Sequence, residues 1–178
     1  MLDNYLIDYS SWFDEGGYCQ VYPIKDHPSL VFKEFRNKKK ASEALRYQKQ
    51  LSKFNFAPKV YTKVCQLNFA PEEGLIYNEP SDWGYVAEIA KTSDSILETV
   101  SLQQIQKLVD DIEEKTGLKF WDCHKYNIGV VQRNNEDILV CIDTGKESFE
   151  GYSNAWGYDT PGPKCGYCSQ YQCRCGVS

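Results

Sequence analysis

The stretch KFWDCHKYNIGVVQRNNEDILVCIDTG, Lys119 to Gly145, decides how the rest of the chain is read. It holds two apolar runs, Ile128–Val131 and Ile138–Ile142, separated by the polar sequence Arg133-Asn134-Asn135-Glu136-Asp137. That pattern predicts a strand, a tight turn and a second strand. A hairpin returns its outer ends to one place, so Asp122 and Asn127 before the first strand should meet Asp143 after the second. Two carboxylates and an amide at one rim make a cradle of oxygen donors for Mg²⁺, a hard cation.

The chain has 178 residues, which suits one domain or two small lobes. Hydrophobic residues make up 42% and aromatics 14%, enough to build a core. A formal charge of −5 and a pI of about 5.1 argue against a general nucleic-acid-binding surface. No run reaches the length of a membrane span, and the opening MLDNY lacks the basic-then-apolar pattern of a signal peptide. A cytoplasmic protein without a membrane partner is the expectation. Cys19, Cys65, Cys123 and Cys141 are isolated and read as buried free thiols, whereas four more cysteines crowd the last fourteen residues.

Outward from the hairpin, the earlier chain reads as a mostly β layer with one helix. Residues 1–15 suit either a short helix or a strand. DEGGYCQVYPI predicts two β stretches pivoting on Gly16-Gly17, and SLVFKEF predicts a further strand after a turn at Lys25–Pro28. Within that strand Lys33 is unusual, since a solvated lysine is not expected among Leu30, Phe32 and Phe35. NKKKASEALRYQKQL predicts a helix with Ala41, Ala44, Leu45, Gln48 and Leu51 on one face and a solvated start at Lys38-Lys39-Lys40. Pro58 marks a break, after which FAPKVYTKVCQL reads as linker and strand. A turn at Glu79–Asp82 leads to a strand ending near Ala87. Residues Leu97 to Lys115 form a second predicted helix, with the stripe Ile105, Leu108, Val109, Ile112 and Gly117 as its C-cap. Residues 146–163 are rich in Gly, Pro, Ser, Asn and Tyr and read as loop or short irregular structure.

The order of these features resembles the protein-kinase fold, nearest to the aminoglycoside and choline kinase-like branch and to short kinase-like proteins of phages. Asp122-Cys123-His124-Lys125-Tyr126-Asn127 fits that branch's D-x-H-x-x-N catalytic loop, and Asp143-Thr144-Gly145 stands where the D-x-G element is expected. The resemblance covers roughly residues 12 to 150. It implies an α+β, minimal bilobal fold: a β-rich N-lobe over 1–88, a truncated helical C-lobe over 89–163, and a Cys-rich tail over 164–178.

The same resemblance assigns roles. Asp14-Glu15-Gly16-Gly17-Tyr18 would cover the phosphates of ATP, with Gly16 and Gly17 admitting the backbone to phosphate oxygens, Tyr18 at the tip and Val21 under the adenine. Lys33 would pair with the α- and β-phosphates, and Glu43, only ten residues on, would hold Lys33. Glu88 and Ala90 would offer backbone groups to adenine where the lobes join. Asp122 is the implied catalytic residue, and Asn127 and Asp143 the implied Mg²⁺ ligands. His124 is expected to support its loop. The family usually has His-Arg or His-Gly before the catalytic Asp; Phe120-Trp121 stands there in this chain, which implies altered packing. The 33 residues after Gly145 leave little room for the usual peptide-docking helices.

Cys165, Cys168, Cys173 and Cys175 give C-x2-C-x4-C-x-C, which suits a closed, structural tetrahedral Zn²⁺ site; disulfides or free thiols are the alternatives. Together these readings predict an ATP- and Mg²⁺-dependent phosphotransferase acting on hydroxyl groups of a protein. Two further readings stay open. One is a kinase-like binding protein that recognises a host partner; the other is a small-molecule kinase or an AMP transferase. For a phage-encoded protein, the compartment would be the host cytoplasm.

Overall fold

The computed structural model describes residues 5–9, 14–15, 19–71, 80–92 and 99–150. The chain divides into two compact units. The first comprises Met1–Arg46 and Lys59–Ile89, and the second Tyr47–Pro58 and Ala90–Ser178. The segment 47–58 therefore belongs with the later part of the chain, because Tyr47, Leu51 and Ala57 share a core cluster with Leu108, Val109, Ile112 and Phe120.

The described part of the first unit is a mixed sheet. Its strands are β1 (Leu6–Ile7), β2 (Asp14–Glu15), β3 (Gln20–Ile24), β4 (His27–Phe35), β5 (Asn68–Phe69) and β6 (Trp83–Glu88). The order is β5-β1-β3-β4-β6, with β2 also paired to β3. The β1–β5 pair is parallel and the others are antiparallel. The leading segment, ambiguous in sequence, thus supplies a strand. β3 and β4 join through Lys25 and Asp26, and Asp26 takes φ 61°, a left-handed conformation that Asp tolerates better than bulkier residues.

Both faces of this sheet are covered, which is why β4 is buried continuously from Leu30 to Lys33 instead of alternating. One face carries Ile7, Tyr22, Ile24, Leu30, Phe32 and Val86, closed by Leu67. The other carries Phe35, Tyr85 and Ala87 against Ala41, Ala44 and Leu45 of helix α1 (Lys38–Ser52). Asn37 caps that helix: its Oδ1 accepts the Lys40 N–H at 3.0 Å. The predicted apolar face of α1 is buried throughout, and Lys38 and Lys39 are exposed.

The strand expected after Pro58 is instead an irregular edge along β6, touching it at Val60↔Ala87 and Cys65↔Gly84. Thr62 interrupts the ladder by accepting the Val86 N–H through its Oγ1 at 2.9 Å. The turn expected at Glu79–Asp82 lies partly outside the described residues. Its described part, Pro80–Asp82, leads into β6 without regular structure, with the Asp82 N–H donated to Glu34 Oε1 at 2.8 Å.

In the second unit, α2 runs from Leu102 to Thr116. It begins at 102, later than the sequence suggests, because Ser101 and Gln104 form a reciprocal capping box: the Ser101 Oγ accepts the Gln104 N–H at 3.2 Å and Gln104 Oε1 accepts the Ser101 N–H at 2.8 Å. Gly117 ends it at φ 71°, as the sequence predicts. Leu108, Val109 and Ile112 face the core. β7 (Ile128–Arg133) and β8 (Glu136–Cys141) form the predicted hairpin, paired from Ile128↔Cys141 to Arg133↔Glu136. Asn134 and Asn135 both take positive φ, 52° and 65°, the geometry whose twist matches a two-residue hairpin. Arg133 ties the closed end down by donating to Asn55 Oδ1 and to the Ala57 carbonyl.

One turn of helix, α3 (Glu147–Glu150), occupies residues expected to be loop or short irregular structure. Phe149 explains it: the ring is buried and stacks on Tyr47 at 5.2 Å and Phe120 at 5.4 Å. Cys19, Cys65, Cys123 and Cys141 are all free thiols; Cys123 and Cys141 are buried, the other two half-buried. Burial pushes the Cys65 thiol pKa up, against a smaller opposing effect of its hydrogen bond to Thr62. Among the described residues no helix is long and apolar enough to cross a membrane. The chain is thus α+β, with a mixed sheet and few helices.

Candidate functional site

The open end of the β7–β8 hairpin is where the sequence expected its polar groups to gather. The ladder continues one step past Ile128↔Cys141, the Ile142 N–H donating to the Asn127 carbonyl at 2.9 Å. Asn127 therefore lies across the strand pair from the residue that precedes Asp143. On its other side Asn127 Nδ2 donates to the Asp122 carbonyl at 2.9 Å and to Asp122 Oδ2 at 3.1 Å. A carbonyl only accepts, so the amide orientation is fixed: Nδ2 faces Asp122, and Oδ1 is left as an oxygen donor.

A short 3-10 turn, Lys125–Asn127, creates this geometry. His124 caps it, with Nδ1 accepting the Tyr126 N–H at 3.3 Å and its carbonyl accepting the Asn127 N–H at 2.9 Å. An accepting Nδ1 leaves the proton of the neutral ring on Nε2, which stands 3.6 Å from Asp122 Oδ1. Asp122 keeps 22% and His124 13% of side-chain exposure, so the carboxylate is reachable from solvent while the ring is largely covered. Tyr126 projects outward, 69% exposed. Before Asp122, Phe120 is a core residue under Phe149, and the Trp121 N–H donates to the Ser148 carbonyl at 2.9 Å.

The Asp143-Thr144-Gly145 segment is held from three sides. Asp143 Oδ1 accepts the Gly145 N–H at 2.9 Å, closing a local turn. The Cys141 thiol donates to the Asp143 carbonyl at 3.0 Å. Thr144 is buried and donates its hydroxyl to Gln48 Oε1 at 3.3 Å. Gly145 leaves room for carboxylates: a Cβ there would lie 3.1 Å from Glu147 Oε2 and 3.2 Å from Asp143 Oδ1.

Among the described residues no group of three or more His, Cys, Asp or Glu side chains is arranged to hold a metal. Mg²⁺ asks for less, since it keeps several waters and takes one or two protein oxygens together with phosphate. The Asn127 amide, turned to leave Oδ1 available, and the half-buried Asp143 carboxylate fit that modest demand.

In the first unit, Lys33 is buried at 8% exposure on β4. It pairs with Val21 on β3 and Tyr85 on β6, so these side chains share the face that also carries Phe35 and Ala87. The Lys33 Nζ stands 5.9 Å from the Tyr85 ring centroid. The β2–β3 hairpin that frames Gly16, Gly17 and Tyr18 pairs Asp14↔Val21 and Glu15↔Gln20; the three residues themselves lie outside the described residues. Glu43 is half-buried on α1. The Glu88 N–H donates to the Lys59 carbonyl at 2.8 Å, and Glu88 Oε2 accepts the Lys59 N–H at 3.0 Å. Ala90 is half-buried at the start of the second unit's later segment, where Lys91 exchanges backbone hydrogen bonds with Val130. Cys165, Cys168, Cys173 and Cys175 lie outside the described residues.

Sequence reasoning missed Gln48, Glu147 and the Cys141 thiol as neighbours of Asp143. Gln48 had a usable signal, being a polar residue on an otherwise apolar helix stripe. No family model and no curated protein matches the chain.

Proposed function

We propose that the chain is an ATP- and Mg²⁺-dependent phosphotransferase of the kinase-like type, acting on hydroxyl groups of a protein acceptor. The observation that carries this reading is the convergence of Asp122, Asn127 and the Asp143 segment at the open end of one hairpin, Asn127 bonding Asp122 through its side-chain amide and Ile142, the residue before Asp143, through its carbonyl.

In this reading Asp122 orients the acceptor hydroxyl and takes its proton as the hydroxyl oxygen bonds to the γ-phosphorus. The bond from that phosphorus to the bridging oxygen breaks, and ADP leaves. Asn127 and Asp143 would hold Mg²⁺, which would offset the charge that develops on the phosphates. His124 fixes the loop by accepting the Tyr126 N–H, and its Nε2 faces Asp122 Oδ1 at 3.6 Å. Lys33 is assigned to the nucleotide phosphates and Val21 to the adenine; what supports this is a lysine buried mid-strand directly opposite Val21. The four tail cysteines are assigned a structural Zn²⁺.

The test is incubation of the full chain with γ-labelled ATP, Mg²⁺ and a cell lysate, with α-labelled ATP in parallel. Label from the γ position should reach protein, and Asp122→Ala should lower the rate by about 10²–10⁴-fold. Transfer that survives Asp122→Ala removes Asp122 from its role, and transfer from the α position makes the enzyme an AMP transferase. A ligand at a hundred times its dissociation constant adds about 2.7 kcal/mol of stability, so ATP with Mg²⁺ should raise the melting temperature. Neither shift nor transfer overturns the reading; a shift without transfer favours the kinase-like binding protein.

A further inference from the structure

Gln48 is the least explained residue of the second unit. Its side chain is completely buried, on a helix face whose other members are Ala44, Leu45 and Leu51. Both ends of its amide are engaged. Nε2 donates to the Pro58 carbonyl at 3.1 Å, and Oε1 accepts the hydroxyl of Thr144, itself only 1% exposed, at 3.3 Å. An apolar side chain of similar volume would fill this place but take a partner from the Pro58 carbonyl and the Thr144 hydroxyl, a cost in stability because a buried polar group is left without its hydrogen bond. Gln48 thus supports the fold, and its two bonds also place it beside the candidate site.

The connection gives a reason. Thr144 lies between Asp143, whose carboxylate closes a turn on the Gly145 N–H, and Gly145 itself. Fixing the Thr144 side chain fixes the direction in which the adjoining Asp143 carboxylate leaves the backbone. Pro58 closes the segment 47–58, so one amide ties both ends of that segment to the residue after the candidate metal ligand.

We propose that Gln48 is a positioning residue: acting through Thr144, it holds Asp143 in the orientation that takes a divalent cation. The proposal rests on the reading of Asp143 as a metal ligand and extends it to a residue remote from the ligand set. Residues that orient metal ligands change metal affinity or activity by about 10–100-fold when altered.

The experiment compares wild type with Gln48→Met, Thr144→Val, Thr144→Ser and the double variant Gln48→Met/Thr144→Val. Three readouts apply: melting temperature, Mn²⁺ binding followed by electron paramagnetic resonance with ATP present, and the Mg²⁺ concentration giving half-maximal transfer. Gln48→Met and Thr144→Val should each weaken Mn²⁺ binding and raise the Mg²⁺ requirement by about 10–100-fold. Thr144→Ser, which keeps the hydroxyl, should restore wild-type values. The double variant should bind Mn²⁺ no more weakly than either single variant, because the two changes cut the same link. A double variant that regains both stability and wild-type Mn²⁺ affinity makes the role merely structural and overturns the proposal. Folded Gln48→Met with unchanged metal affinity also overturns it. Should wild type bind no Mn²⁺ with ATP, the metal-ligand reading itself falls, an outcome separate from either of these.

Discussion

The β3–β4 hairpin buries a charged side chain, Lys33, in mid-strand, whereas the β7–β8 hairpin buries its apolar strand positions and gathers its polar groups beyond the open end. In mid-strand, backbone donors and acceptors are committed to the ladder, so the ammonium must be accommodated by what shares its face, here Tyr85 and Val21. At a strand end the backbone is released. Loop N–H and carbonyl groups then orient Asn127 and Asp143 directly. The first arrangement gives a charge whose surroundings are set by the whole sheet; the second gives a constellation that a dozen local residues specify.

The largest effects should separate the two on activity and stability at once. Asp143→Ala should lower phosphoryl transfer by about 10²-fold or more with a small change in stability, because its carboxylate is half exposed. Lys33→Met should lower transfer comparably, since the phosphates would lose their lysine. Transfer assays beside urea unfolding check both. An active Lys33→Met protein would end the assignment of Lys33 to phosphate.

Next in size are two glycines, one beside each hairpin. A Cβ on Gly84 would meet the Lys33 carbonyl at 2.2 Å and the Phe32 ring at 2.5 Å; one on Gly129 would meet Ala90 Cβ and Ile142 Cγ2 at 3.0 Å. Gly84→Ala should therefore cost about 3 kcal/mol and Gly129→Ala about 1 kcal/mol, both read from denaturant unfolding. Equal costs would mean that the β4–β6 pair yields as readily as the hairpin.

Smaller still is Ser101→Ala. Losing the capping box of α2 should cost about 1 kcal/mol and leave transfer per folded molecule unchanged. A loss of transfer beyond the folded fraction would show that the hairpin site depends on its supporting helix.

The smallest effect concerns pH. Burial raises the pKa of Glu34, the nearby Asp82 carboxylate adds to it, and hydrogen bonds from the Asp82 backbone and Tyr22 act the other way. Folding thus favours protonated Glu34. That contribution is present below the ordinary glutamate range and fades as pH climbs through the raised value. Glu34→Gln should flatten this part of the stability–pH profile; an unchanged profile would assign the dependence elsewhere.

Much of this was legible in the sequence where one local rule sufficed. The Ile128–Val131 and Ile138–Ile142 runs around Asn134-Asn135 fixed the hairpin, and Gly117 fixed the end of α2, since in each case pattern and turn chemistry agree. What escaped depended on tertiary contact. Nothing local marks Leu6–Ile7 as a strand until Ile24 and Phe69 lie beside it. The turn at Glu147–Glu150 exists because Phe149 has rings to stack on. The segment at Val60–Cys65 looks like a strand but is broken by a threonine hydroxyl that takes a ladder bond for itself. In the site, Asp122, Asn127 and Asp143 were readable because the hairpin brings them together. Gln48 and the Cys141 thiol reach the same loop from distant or apolar positions, where sequence spacing says little.

The two buried thiols have a consequence of their own. Cys123 directly follows Asp122, and Cys141 stands two residues before Asp143, both with no exposed surface. Each is thus a native reporter on one wall of the site, silent to an alkylating reagent until its own segment opens. Timed alkylation with mass readout would give two opening rates in a single unmodified molecule. Their ratio would tell whether the Asp122 side and the Asp143 side come apart together or one at a time.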